Sequence, residues 1–213
     1  MFPPLFPIYV PALIPLHPYA TLVWLAGVVC LWLTRYTHQL GKRLGVSYYL
    51  FSAVVRPLGI LLIALGWLAL YAPQAPPFLA QQLGWLPRGD WMDILLWLGV
   101  LAFFGLGLWS VAALGIRRSF LYRRLDDPLI MHGPYALVRH PQFLSAIGIT
   151  FFGIKLFNPA AFFYTAYGSL ETNWILFTCA LWTLSILEDR ELAAHFGSQY
   201  EEYAGRVPRL FPN

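Results

Sequence analysis

Two short stretches hold most of the side chains in this chain that could do chemistry, and hydrocarbon-rich segments flank both. The first is HGPYALVRHPQF, His132 to Phe143. Gly133-Pro134 is turn chemistry, with Pro134 suited to the first position of a short helix. The run from Tyr135 to Arg139 has room for one or two helical turns, and His140-Pro141 restarts a helix with proline again in first place. Each such helix start presents unbonded N–H groups and a positive dipole end, which favour a carboxylate or a phosphate. The stretch reads equally as a membrane-entry loop in which His140 caps a helix and Arg139 touches lipid phosphate.

The second stretch is LEDRELAAHFGSQYEEYAGRVPRLFP, which begins at Leu187. Glu188 and Asp189 follow directly on an apolar run, where an uncompensated acid costs roughly 2.5–3.5 kcal/mol if it lies deep. Two adjacent acids there need a cation nearby. Helical geometry puts Glu191 near the face of Glu188 and turns Asp189 away. Phe196-Gly197 ends that helix, and Ser198 with Glu201 spells a capping box for the next. Tyr200 and Tyr203 stand three apart on it, and Arg206 follows the expected stop at Gly205. The competing reading is an amphipathic helix with solvated charges.

Other chemistries lack their residues. There is no convincing Ser/His/Asp arrangement, metal-ligand set or glycine-rich phosphate loop. The GLG of AFFGLGLWS is helix-packing chemistry in lipid, and IRRSFLYRR beside an apolar run reads as a headgroup anchor. Cys30 and Cys179 sit alone in apolar runs, which excludes a disulfide framework or a zinc module and leaves two small hydrophobes.

The elements that must position these stretches are apolar. Of 213 residues, 59% are hydrophobic and 11% charged, against about 25% charged in a soluble domain. The mean hydropathy is +0.60. The expected architecture is an all-α, polytopic integral membrane protein with about five spans, forming one domain over residues 1–213. The spans are Tyr19–Leu33, a second from Ser47 through VVRPLGILLIALGWLALYA, Met92–Leu114, then FLSAIGITFFGIKLF and NWILFTCALWTLSIL. The last two are short and suit a tilted hairpin turning near Asn158-Pro159. A polar, helical tail follows them.

Arg56 near the entry of the second span could snorkel to headgroups, and Pro57 permits a kink. PQAPPFLAQQLGWLPRGDW suits the interface. The proline-rich opening, MFPPLFPIYVPALIPLHPYA, lacks a basic n-region and reads as an interfacial lead-in rather than a cleavable signal.

Placing the N-terminus outside puts Arg35, Lys42, Arg43, Arg56, Arg117, Arg118, Arg123, Arg124, Arg139, Arg190, Arg206 and Arg209 inside, and leaves only Arg88 and Lys155 outside. This is a positive-inside pattern. It assigns the net charge of +4 to membrane orientation and membrane lipids rather than to nucleic acid. Both chemical stretches then share the cytoplasmic face.

Taken together, GPYALVRHPQF and EDRELAAHFGSQYEEYAGRVPRLFP, separated by a hydrophobic hairpin, resemble the isoprenylcysteine carboxyl methyltransferase and phospholipid methyltransferase superfamily. The resemblance covers about the last 90 residues. Residues 1–115 match only in being hydrophobic, and 116–213 form the half that resembles a cofactor-binding unit. The resemblance implies a small multi-span enzyme using S-adenosyl-L-methionine.

It also implies cofactor contacts from Leu129 and Ile130, within Asp127-Pro128-Leu129-Ile130, and from Tyr135, His140, Pro141, Gln142, Phe143 and Glu188. Arg139 or His140 suits the cofactor carboxylate. Glu188, beside Asp189, suits a cation, and Tyr135 and Phe143 suit adenine or the sulfonium. Tyr203 and Arg206 are candidates to orient the acceptor, and Glu188 or Glu191 to take a proton from an amine.

Three positions depart from the family pattern: Asp127 replaces a frequent histidine, Phe143 a tyrosine, and Leu184 the substrate-binding arginine of carboxyl-methylating relatives. Leu184 argues against a prenylcysteine carboxylate as acceptor. The expected reaction is methyl transfer to a lipophilic small molecule or lipid entering from the bilayer. Two rivals stand beside it. An NADPH-dependent reductase of the sterol-reductase type would hold the 2′-phosphate with Arg117, Arg118, Arg123 and Arg124. The other is a non-catalytic membrane accessory protein.

Overall fold

The computed structural model describes residues 19–35, 43, 45–71, 90–121, 126–157 and 170–211. The proline-rich opening, the loop from Pro73 to Arg88, Arg123, Arg124 and the Asn158-Pro159 turn lie outside the described residues. Among the described residues all regular structure is helical. The helices are α1 (Ala20–Leu33), α2 (Val46–Tyr71), α3 (Asp90–Leu114), α4 (Pro141–Phe157), α5 (Leu170–Phe196) and α6 (Ser198–Arg206). A π-helical turn, Arg117–Leu121, and a 3-10 turn, Gly133–Ala136, lie between α3 and α4.

Helix limits follow the apolar runs. α1 ends where the sequence turns polar at Thr34-Arg35, and α2 runs unbroken through Pro57. Segments Ser47–Leu70 and Ile94–Leu114 are long and apolar enough to cross a bilayer. α1 is apolar too, but its 14 residues extend only about 21 Å, short of a roughly 30 Å hydrocarbon core. Only 6% of the most apolar window of α3 is buried, so Leu98, Leu101, Phe104 and Leu108 face outward.

The helices pack as two close pairs. In the first, α1 lies against α2 with almost no side chain between them. A Cβ on Gly27 would stand 2.5 Å from the Gly59 carbonyl oxygen and 2.8 Å from Ile63 Cγ1, so that crossing requires glycine. In the second pair, Ser145 Oγ of α4 donates to the Phe103 carbonyl of α3 at 2.7 Å. Close approach through small residues is how helices associate where no water drives them together.

α5 joins the pairs. Its Phe177 packs edge-on against Trp24 of α1 and Trp67 of α2, at centroid distances of 5.7 and 5.3 Å. Asn173 Oδ1, buried, accepts from Thr21 Oγ1 at 2.7 Å and Trp24 Nε1 at 3.1 Å. Toward α4, Trp174 Nε1 donates to the Ile147 carbonyl at 3.1 Å, and Lys155 pairs with Glu171 at 3.3 Å. The end of α4 therefore meets the start of α5, and the two run antiparallel.

The tail differs in two details from the capping pattern in the sequence. Gly197, not Ser198, is the N-cap of α6: its carbonyl accepts from Tyr200 and Glu201 N–H at 3.0 and 3.2 Å, and no side chain caps the helix. Gly197 N–H also closes the end of α5 on the Ala193 carbonyl at 2.9 Å. One residue thus serves both helices and leaves Ser198 inside the next turn. At the far end α6 passes through Gly205 and stops at Arg206, because Val207 precedes a proline and takes an extended conformation.

Candidate functional site

The backbone lays the two chemical stretches side by side. Arg139 N–H donates to the Pro208 carbonyl at 2.8 Å and His140 N–H to the Arg209 carbonyl at 3.1 Å. This diversion explains why helix in the motif stops at Ala136 instead of continuing to Arg139. Gly133, at φ +62°, makes the turn into that short helix, a conformation other residues rarely adopt. The hydroxyl of Tyr203 donates to the Tyr135 carbonyl at 2.7 Å and ties α6 to the same turn.

An ion network fills the seam. Adjacent on α5, the side chains of Glu188 and Asp189 diverge, yet both reach His140. His140 Nε2 lies 2.7 Å from Asp189 Oδ1, and its Nδ1 lies 3.4 Å from Glu188 Oε2. Asp189 also accepts from Arg139 Nη1 at 2.9 Å, from Arg209 Nε at 2.7 Å and from the Tyr200 hydroxyl. Glu188 binds Arg35 Nη1 at 2.6 Å. The cation that two acids at this depth require is therefore supplied by the protein, from the residue two beyond the end of α1.

Protonation states follow from these contacts. Burial disfavours charge on His140, but hydrogen bonds to Asp189 and Glu188, with their negative charges, outweigh it and raise its pKa above 6.5. Burial, reinforced by the Asp189 charge, raises the pKa of Tyr200, and burial raises that of Tyr203 despite Arg139. Both hydroxyls therefore keep their protons and act as donors.

Next to this network lies a cavity whose empty space, counted out to its open mouth, is about 1040 Å³. The expected residues Leu129, Ile130, Tyr135, Arg139, His140, Pro141, Gln142, Phe143, Glu188 and Tyr203 all line it, as does Glu191. Asp189 is not on the wall; it stands behind and braces Arg139 and His140. Arg206 is far from this role: its side chain is 67% exposed and pairs with Glu202 on the surface at 3.4 Å. Leu184, one turn before Glu188, is buried in α5.

Several contacts change the roles expected of named residues. The Phe143 ring has the Arg35 guanidinium 5.1 Å from its centroid and stacks on His140 at 5.6 Å, so it supports the ion network instead of offering an open face. Arg117 and Arg118 both bind Asp127, Arg118 Nε at 3.3 Å. They shape the loop that brings Leu129 and Ile130 to the wall. Arg56 does not snorkel: it is 4% exposed, lines the cavity and donates to the Arg118 carbonyl at 2.9 Å.

Arg35, Arg56 and Tyr200 are among the wall residues that sequence reasoning missed as site residues. An arginine at the end of an apolar run looks like an anchor, and its true partner is 153 residues away. The available signal was the pair of acids, whose burial required a cation. Arg139 Nε is buried and has no hydrogen-bond partner among the described residues. Those residues contain no group of three or more His, Cys, Asp or Glu side chains placed to hold a metal ion. No protein-family model, no curated protein and no solved structure matches this chain.

Proposed function

We propose that this chain is an integral membrane methyltransferase that uses S-adenosyl-L-methionine and methylates a lipophilic acceptor at the cytoplasmic side of the bilayer. The observation that carries this reading is the convergence of the two stretches on one cavity. Tyr135, Arg139, His140 and Gln142 enter it from the motif, and Glu188, Glu191 and Tyr203 from the tail.

The residues present fit the cofactor's groups. Arg139, on the cavity wall, suits its carboxylate, Glu191 its positive charge, and Leu129, Ile130 and Tyr135 its flat base. When bound, the group supplies an electrophilic methyl. The chain itself then has to hold the acceptor in line and keep water out. Glu188 is committed to Arg35 and His140, so its part is to brace the wall rather than to take a proton.

The membrane setting, with α1 to α5 as five embedded helices and α6 in the cytoplasm, rests on the exposed apolar faces of α2 and α3. It is supported by the gathering of Arg35, Arg118, Arg139 and Arg209 at one end of the helices. Lys155 lies at the other end of α4 from His140. The reductase reading loses two of its phosphate-binding groups, because Arg117 and Arg118 are held by Asp127.

The test is thermal unfolding of the purified full chain with S-adenosylmethionine, S-adenosylhomocysteine or NADPH. Stabilisation by the first two alone is expected. Stabilisation by NADPH alone would transfer the site to redox chemistry, and no shift with any of them would favour the accessory role.

A further inference from the structure

Beyond α6, residues 207–211 run back along the motif as a strap. The Pro208 and Arg209 carbonyls accept from Arg139 and His140 N–H, and Leu210, 1% exposed, belongs to the hydrophobic core. The residues on either side of Leu210 meet α5 at Trp182. The Arg209 guanidinium stands 5.6 Å from the centroid of the Trp182 ring, and the Phe211 ring stacks on Trp182 at 6.3 Å. All three reach the surface: Trp182 and Phe211 are exposed, and 28% of the Arg209 side chain is accessible.

This cluster stands where the outer face of α5 changes character. Before Trp182 that face shows Ile175 and Leu176; after it comes exposed Arg190, about 12 Å further along the axis. Tryptophan at such a boundary sits at headgroup depth in a bilayer. The charge there is unbalanced, because Arg139 and Arg209 both bind the single carboxylate of Asp189, and Arg209 is the more exposed of the two. A guanidinium pairs with phosphate through parallel N–H donors and keeps them while it lies over an aromatic face. A zwitterionic headgroup brings its own cation beside the phosphate, so surplus positive charge selects a headgroup without one. We propose that Arg209, Trp182 and Phe211 bind the phosphate of an anionic phospholipid, and that the bilayer thereby holds the strap against the motif. This rests on the membrane setting proposed above and not on the identity of the cofactor.

The experiment counts lipids bound to the purified full chain by native mass spectrometry in neutral detergent. Phosphatidylglycerol and phosphatidylcholine with the same acyl chains are titrated, with glycerol phosphate as a chain-free control. Phosphatidylglycerol is expected to bind about fivefold tighter than phosphatidylcholine, the worth of one arginine at an anionic surface, and glycerol phosphate not measurably. The double variant Trp182→Ala with Phe211→Ala leaves Asp189 its partners and brings the two lipids to within about twofold. Equal binding of both lipids to the unmodified chain overturns the proposal, as does a preference that survives in the double variant. Glycerol phosphate binding as tightly as the lipid also overturns it, since the site would then serve a soluble phosphate ester. Should the double variant not fold, Phe211→Ala alone, at an exposed position, decides by the same comparison. S-adenosylhomocysteine affinity is read in bilayers of either lipid. Several-fold tightening in phosphatidylglycerol is expected, because the strap holds Arg139 and His140; equal affinity overturns the clamping of the strap. No S-adenosylhomocysteine binding beside an intact lipid preference removes the methyl-transfer reading and leaves the lipid site. A chain that alkaline carbonate extracts from vesicles removes the membrane setting, and the lipid site with it.

Discussion

His140 Nε2 stands 2.7 Å from Asp189 Oδ1, although 49 residues and two helices' worth of chain separate them. This one contact joins the motif to the tail. Because Arg139, Arg209 and Tyr200 converge on the same carboxylate, Asp189 acts as the hub of the seam rather than as a wall of the cavity.

Removing that hub is therefore expected to damage folding before chemistry. Asp189→Ala leaves two arginines and an imidazolium without their counter-charge, and breaking a buried ion pair costs about 3–5 kcal/mol. A denaturation midpoint within 1 °C of the unmodified chain would show that the network contributes nothing to stability.

The same network predicts how stability follows pH. His140 has a folded pKa raised above 6.5, so its contribution is complete below that pH and is lost as pH rises through the folded value. Melting temperature is expected to decline as pH rises above about 6.5. In His140→Gln the upper decline should vanish; if it persists, another group is titrating.

Arg35 and Glu188 tie the first helix to the cavity wall at 2.6 Å. A double-mutant cycle with Arg35→Gln and Glu188→Gln should show coupling of about 1–3 kcal/mol in stability. Strict additivity would mean that the first half of the chain merely covers the site.

Tyr203 and Arg206 should separate cleanly. Tyr203→Phe strands the buried Tyr135 carbonyl, at a cost of about 1–2 kcal/mol, and is expected to weaken S-adenosylhomocysteine binding several-fold by loosening the turn. Arg206→Ala, on the surface, should change stability by less than about 0.5 kcal/mol and leave binding unaltered. Calorimetric titration of both variants checks this; equal losses would return Arg206 to the site.

What the sequence determined by itself is everything that depends on neighbours along the chain. Apolar runs set the limits of α1 and α3 to within two residues, because helix length in an apolar segment is a local property. Gly133-Pro134 and Gly197 punctuate the chain where they are written. The cavity wall from Leu129 to Phe143 was legible because its residues are contiguous.

What only the tertiary structure decided is which faces meet. Successive residues on a helix point about 100° apart, which turns Asp189 away from Glu188 in the sequence, but only the docking of α5 decided that Glu188 lines the cavity and Asp189 braces it. Arg35 read as one of the inside charges and Arg56 as a headgroup anchor until Gly27 let α1 and α2 close together and α5 packed over them at Trp24 and Trp67. Partners that far apart leave no periodic trace, because they depend on how whole helices dock. The capping box at Ser198 failed for a related reason: Gly197 already served both helices, and the chain had no residue to spare.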